Sequence, residues 1–171
     1  IGGFRTYSNQ VVSMDIQSFN WLDIVADAHF LPFKSNSFSN IVMLDVLHHL
    51  ECPKIFFMEA VRVLASGGRI VLIEPAITPL SWLIYKYFHY ETVDMTKNPL
   101  TNDTFLPGRL PFDGNQAIPT ILFNKNKDEF EQTFPELKII RFNFFSFFSY
   151  LLSGGFQKWC LLPAKLVPIV L

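Results

Sequence analysis

Three aspartates and a histidine pair carry the chemistry that this sequence can offer. Asp15 comes near the end of the apolar run QVVSMDI, Asp27 follows DIVA, and Asp45 follows NIVML. Each carboxylate stands where an apolar stretch runs out. Each is therefore expected at a strand end, with two acceptor oxygens to offer a ligand's donors. Just after Asp45, the phrase DVLHH brings in His48 and His49, a residue type suited to proton transfer near neutral pH. Gly2 and Gly3 stand near the start; lacking a Cβ, they let backbone approach a bound molecule closely.

The elements that must position these groups follow from the apolar pattern. Residues 10–16 and 23–28 read as strands ending in an acid. Residues 40–46 form a near-continuous apolar run, as expected of a parallel strand covered on both faces. Residues 54–64 read as a helix in which Ile55, Met58, Val61 and Leu64 recur at three-residue spacing, with Phe57 and Ala60 widening the stripe. Pro53 opens it, and Gly67 with Gly68 is expected to close it. Residues 69–74 are the next buried strand, stopped by Pro75. Strand, helix, strand without a hairpin signal implies parallel strands and a right-handed crossover. Beyond Pro75, residues 80–90 read as an aromatic helix and 91–119 as a long loop or lid. Residues 127–134 read as a helix and 137–142 as a strand. Between Ile16 and Leu22 there is no room for a full crossover helix.

A length of 171 residues bounds the chain to one domain. Half of its residues are apolar, the formal net charge is −1, and no basic run occurs. Nucleic acid is thereby excluded as the main partner, because phosphate binding needs clustered Lys and Arg. Cys52 and Cys160 are the two cysteines, far apart and in no metal spacing, so the expected setting is reducing and cytoplasmic. Aromatic residues are abundant, with nineteen Phe, five Tyr and three Trp. No run of eighteen apolar residues occurs, so no transmembrane helix is expected. Residues 142–157 carry no charge and read either as a buried strand and helix or as a lipid-facing surface.

The segment 27–75, DAHFLPFKSNSFSNIVMLDVLHHLECPKIFFMEAVRVLASGGRIVLIEP, resembles the core of class I S-adenosylmethionine-dependent methyltransferases. The likeness is to the type 11 branch, which acts mostly on small molecules. It implies an α/β, Rossmann-like fold, a mainly parallel sheet flanked by helices. It also implies incompleteness at the N-terminus, since the family's first strand precedes its glycine loop. The implied cofactor is S-adenosyl-L-methionine. Gly2 and Gly3 then form the tail of the glycine loop, and Asp15 accepts from the ribose hydroxyls. Asp27 faces the adenine amino group, the Ala28 N–H faces a ring nitrogen, and Phe30 and Leu31 wall the adenine. Leu44, Asp45 and the residues up to His49 border the methionine part and the acceptor. RVLASGG departs from the family pattern, with Ala65 and Ser66 in place of Lys-Pro, at a turn whose role is structural. Residues 115–137 and 151–155 are similar to one group of bacterial methyltransferases in which this part covers the acceptor. Position alone puts Tyr85, His89, Tyr90 and Asn115 there.

Two readings of His48 and His49 stand: a general base, or histidines satisfying backbone groups at a helix start. Adjacent helical residues point about 100° apart, so the pair is not expected to face one atom, and no metal site is expected. The resemblance implies one domain, with residues 1–75 as cofactor-binding core and 76–171 as acceptor-side lid and C-terminal elements. The implied activity is methyl transfer to a small molecule. Aromatic residues in 76–123 give that acceptor a substantial apolar part, and peripheral membrane contact accompanies this reading. The alternatives are a catalytically degenerate binding or scaffold protein, a membrane-associated lipid or glycolipid modifier, and a nicotinamide-dependent dehydrogenase. The lack of a full G-x-G-x-x-G disfavours the last.

Overall fold

The computed structural model describes residues 10–88, 91–101, 104–108 and 110–144. Two units separate by contact, Ile1–Ile139 and Ile140–Leu171. In the first, the described elements are β1 (Met14–Asp15), β2 (Ile24–Val25), β3 (Phe38–Leu44), a 3-10 turn (Leu47–His49), α1 (Pro53–Val63) and β4 (Leu64–Ile73). They continue with α2 (Pro79–Phe88), a single α-turn α3 (Ile118–Thr120), a π-helical turn (Ile121–Lys125) and α4 (Lys127–Thr133). In the second unit, Phe142 and Phe144 pack edge to face with centroids 4.9 Å apart.

Both strand pairs are parallel: β1 with β2, and β3 with β4. The β3–α1–β4 unit is the strand–helix–strand that the apolar pattern implied. Its two strands run in register from Asn40 opposite Arg69 to Leu44 opposite Ile73. Ile41 and Met43 on β3, with Ile70 and Leu72 on β4, pack on the core. Val42, Val71 and Ile73 alternate to the other face and are 47%, 46% and 36% exposed. Among the described residues one face of this pair is covered, not both as the run of residues 40–46 suggested.

Helix α1 also differs from its expected face. The buried side is Phe56, Phe57, Ala60 and Val63, while Met58 points outward. The two phenylalanines decide this, because burying an aromatic ring removes more apolar area from water than burying Met or Val. Phe57 is the hub: its ring meets Phe56, Phe123, Phe130 and Phe134 at centroid distances of 5.0, 6.2, 4.9 and 5.6 Å. Five phenylalanines thus join α1 to the π-helical turn and α4.

The glycine pair does not close α1. The helix ends where Leu64 turns extended, at φ −73° and ψ 136°, and pairs with Phe38. Register is then lost until Asn40 meets Arg69, so Ala65–Gly68 bulges from the ladder. Gly67 there has φ +75°, and a Cβ on Gly68 would stand 2.8 Å from the Ala65 carbonyl oxygen. Both positions need glycine, but for the bulge.

Residues 137–142 form no strand. Leu137 N–H bonds the Phe134 carbonyl, and Ile139 N–H donates to the Glu131 carboxylate. These backbone groups turn back to α4 instead of a sheet edge. No helix among the described residues is long and apolar enough to cross a membrane.

Candidate functional site

Because Leu44 and Ile73 are register partners, the next residues, Asp45 and Glu74, leave the same carboxyl edge. Open parallel sheets place their ligands at that edge. Asp45 N–H still donates to the Ile73 carbonyl at 2.9 Å, but φ is +52°, and the chain leaves the strand there. Aspartate tolerates this left-handed conformation better than most residues.

The chain then winds into the turn Leu47–His49, whose leading N–H groups point at Glu74. One Glu74 oxygen accepts from Val46 N and Leu47 N at 2.9 and 2.7 Å. The other accepts from His48 N at 3.4 Å and from His48 Nδ1 at 2.7 Å. A carboxylate from β4 thus satisfies the otherwise orphaned donors of a helical turn. Both side chains of this pair are 4% exposed.

A third carboxylate closes the other side. Glu91, 6% exposed, brings its oxygens 3.5 Å from His48 Nε2 and 4.0 Å from His49 Nε2. Gln116 Nε2 donates to Glu91. The two imidazoles lie against each other, centroids 4.1 Å apart and tilted by 40°. A Cβ on Gly114 would meet His49 Nδ1 at 3.0 Å and the His48 carbonyl oxygen at 3.3 Å, so glycine is what lets this backbone approach.

Asn115 fastens the long segment to the site. Its N–H donates to the His48 carbonyl at 2.8 Å. Its side-chain oxygen accepts from Asp94 N and Ala117 N, and its amide donates to the Asp94 carbonyl. Thr92 and Asn115 form an isolated β-bridge.

The electrostatics follow from this crowding. Burial by itself would lower the His48 pKa, but hydrogen bonds to Glu74 and Glu91, and their charges, push it up to about 9. Asp45 is exposed as a residue, yet the protein around its carboxyl removes part of its hydration and, with Glu74 and Glu91, holds it above the ordinary carboxylate range, with His48 opposing.

A family model described as a methyltransferase domain, of the type 11 branch, matches residues 5–72. The match covers 68 of the 171 residues. No curated protein and no solved structure matches the chain. The methyltransferase domain match takes in β1, β2, β3, α1 and most of β4, and its Rossmann-like α/β fold accords with the parallel strand pairs. Glu74, Glu91 and Gln116 lie beyond the matched segment.

Within the matched segment, the acids expected at strand ends are there. Asp15 is the last residue of β1, half-buried, and one of its oxygens accepts from Gln17 N at 2.9 Å. Asp27 follows β2. Its carboxylate accepts from His29 N at 2.9 Å and from His29 Nδ1 at 2.6 Å. His29 Nε2 in turn accepts from the buried Cys52 N–H at 3.2 Å. His29 therefore ties the Asp27 turn to the residue before α1, a part that sequence reasoning did not assign. Ala28 is half-buried and packs on the core. Phe30 and Leu31 line a groove of about 350 Å³ with His29, Ile55, Met58 and Glu59; it includes none of the histidine–carboxylate cluster around His48.

Leu44 and Asp45 stand at the β3 edge as expected. His48 and His49 lie on a helical turn, as one reading held, but their rings converge on Glu91 instead of pointing apart. A single 3-10 turn pressed between Glu74, Glu91 and Gly114 overrides the angular spacing of a free helix. Gly2, Gly3, His89 and Tyr90 fall outside the described residues. The apolar pattern marks Glu74 only as a strand residue, though the rule that selects Asp45 at the β3 edge applies equally to β4. Glu91 and Gln116 carry no local signal, since the fold of residues 75–116 brings them in.

Proposed function

We propose that this chain transfers the methyl group of S-adenosylmethionine to a small acceptor with a substantial apolar part. The methyltransferase domain match over residues 5–72, with acids at the carboxyl ends of β1, β2 and β3, carries this reading. The residues fit the cofactor. Asp15 offers a half-buried carboxylate, oriented by Gln17 N, to two ribose hydroxyls. Asp27 is oriented by His29, and Ala28 is small enough for backbone to reach an adenine ring nitrogen. Gly2, Gly3, Leu44 and Asp45 complete the expected set.

The cofactor supplies a methyl group already activated on a sulfonium. What remains for the protein is to hold the acceptor in line with that methyl and to keep water away. The segment that follows β4 serves this purpose. It lays Glu91, Asn115 and Gln116 over the edge where β3 and β4 end. Exposed Trp82, Leu83, Tyr87, Phe105, Leu106, Leu110 and Phe112 give it apolar surface for an acceptor such as a lipid, quinone or aromatic metabolite.

Methyl transfer from labelled cofactor to matched panels of apolar and polar small molecules tests the proposal. Turnover is expected with apolar acceptors. S-adenosylhomocysteine binding without turnover on any panel would favour a binding or scaffold role.

A further inference from the structure

We propose that His48, His49 and Glu91 bind a divalent first-row transition-metal ion. One ligand atom from each residue lies within 4.8 Å of the other two. The Glu91 oxygens are 3.5 Å from His48 Nε2 and 4.0 Å from His49 Nε2. Ligands held about 2.0–2.1 Å from a tetrahedral ion are about 3.3 Å apart, so small side-chain rotations close the set around one ion.

The surroundings are those that metal ligands need. His48 Nδ1 donates to Glu74 at 2.7 Å, which turns Nε2 toward Glu91 as the ligating atom. A carboxylate behind a ligating histidine orients the ring and raises its basicity. Gln116 Nε2 holds Glu91 in the same way. On the other side, Gly114 lets the chain pass close behind His49. His48 and Glu91 are 4% and 6% exposed, whereas His49 is 20% exposed, so the cluster opens to solvent on the His49 side.

Two imidazoles and a carboxylate suit zinc or ferrous iron, while magnesium and calcium favour oxygen alone. Three protein ligands leave a coordination position for water or for an oxygen of a small molecule. The inference rests on the cluster itself and stands whether or not the chain transfers methyl groups.

The test uses the 171-residue chain stripped with a chelator. Titration with Zn²⁺, and with Co²⁺ followed by its visible absorption, is expected to show one ion per chain. X-ray absorption of the Co²⁺ form is expected to show two imidazoles among the ligands. His49→Ala and the near-isosteric Glu91→Gln are each expected to raise the Kd for Co²⁺ about tenfold or more, with circular dichroism confirming the fold. Absence of stoichiometric Zn²⁺ or Co²⁺ binding by the unaltered chain overturns the proposal, and so does a Co²⁺ spectrum without imidazole. Undiminished affinity in the folded Glu91→Gln chain overturns it as well.

Discussion

His48 Nδ1 and a Glu74 carboxylate oxygen meet at 2.7 Å across the carboxyl ends of two parallel strands, each side chain almost fully removed from water. The same carboxylate takes the N–H groups of Val46, Leu47 and His48. Removing it strands three backbone donors and one imidazole. Glu74→Ala is therefore expected to cost about 3–5 kcal/mol of stability, the range for breaking a buried charged pair from one side. Urea denaturation measures this. A loss below about 1 kcal/mol would show that water replaces the carboxylate without penalty.

Asp45 is expected to trade stability for its position. Partial loss of hydration and the charges of Glu74 and Glu91 raise its pKa. A carboxyl whose pKa is raised in the fold destabilises that fold once it ionises. Asp45→Asn, which keeps the tolerance for φ +52°, should therefore be the more stable protein at pH 7, by up to about 1 kcal/mol. The difference should shrink as pH falls through the folded value and Asp45 takes up its proton. Parallel melts from pH 7 to pH 4 would reveal this, and a constant difference would argue against it.

Asp15 should act on cofactor affinity with little effect on the fold. Among the described residues, its side chain accepts one hydrogen bond, from Gln17 N. Asp15→Ala is expected to weaken S-adenosylhomocysteine binding by about 1–3 kcal/mol, the value of hydrogen bonds to a charged group. Calorimetry checks this, and unchanged affinity would remove Asp15 from the ribose role.

Glu59 gives the opposite pH dependence. It accepts from Arg62 Nε and Nη2, both at 2.7 Å, and from Leu31 N at 2.9 Å, joining α1 to the turn after Asp27. The Arg62 hydrogen bond is the chief cause that lowers the Glu59 pKa from 4.5. That stabilisation is complete above the ordinary glutamate range and is lost as pH falls through the folded value. Glu59→Gln should lower stability by about 0.5–1 kcal/mol at pH 7, solvent screening included. It should also flatten the melting profile below pH 4.5. A profile identical in both proteins would count against the link.

The parts of the fold legible in the sequence are those written in local periodicity. Helix α1, the parallel pairing of β3 and β4, and Asp15 at the end of β1 all follow from apolar runs and their punctuation. Three-residue spacing places Phe57 and Ala60 on the buried face of α1 but gives Met58 the weight that belongs to Phe56. A strand was expected at 137–142 because alternation reports which side chains turn inward, as Leu137 and Ile139 do. It cannot report whether a neighbour supplies hydrogen bonds. Asp45, His48 and His49 were visible as a cluster in the chain. Glu91 and Gln116 were not, since a residue reached only through a long irregular segment leaves no mark near its partners.

Glu91 and Thr92 at one end of that segment meet Gln116 and Asn115 at the other. The described residues between them form a loop stapled at its neck. Loops tolerate changes of length and sequence far better than the elements that anchor them. Leu100 packs in the core and Asn98 bonds Glu129, whereas the side chains of Leu106 and Leu110 are exposed, so substitutions at Leu106 and Leu110 are expected to leave the neck, Glu91 and the histidines in place. Under the proposed methyl-transfer reading, changing those two side chains is expected to keep the site and alter the preferred acceptor.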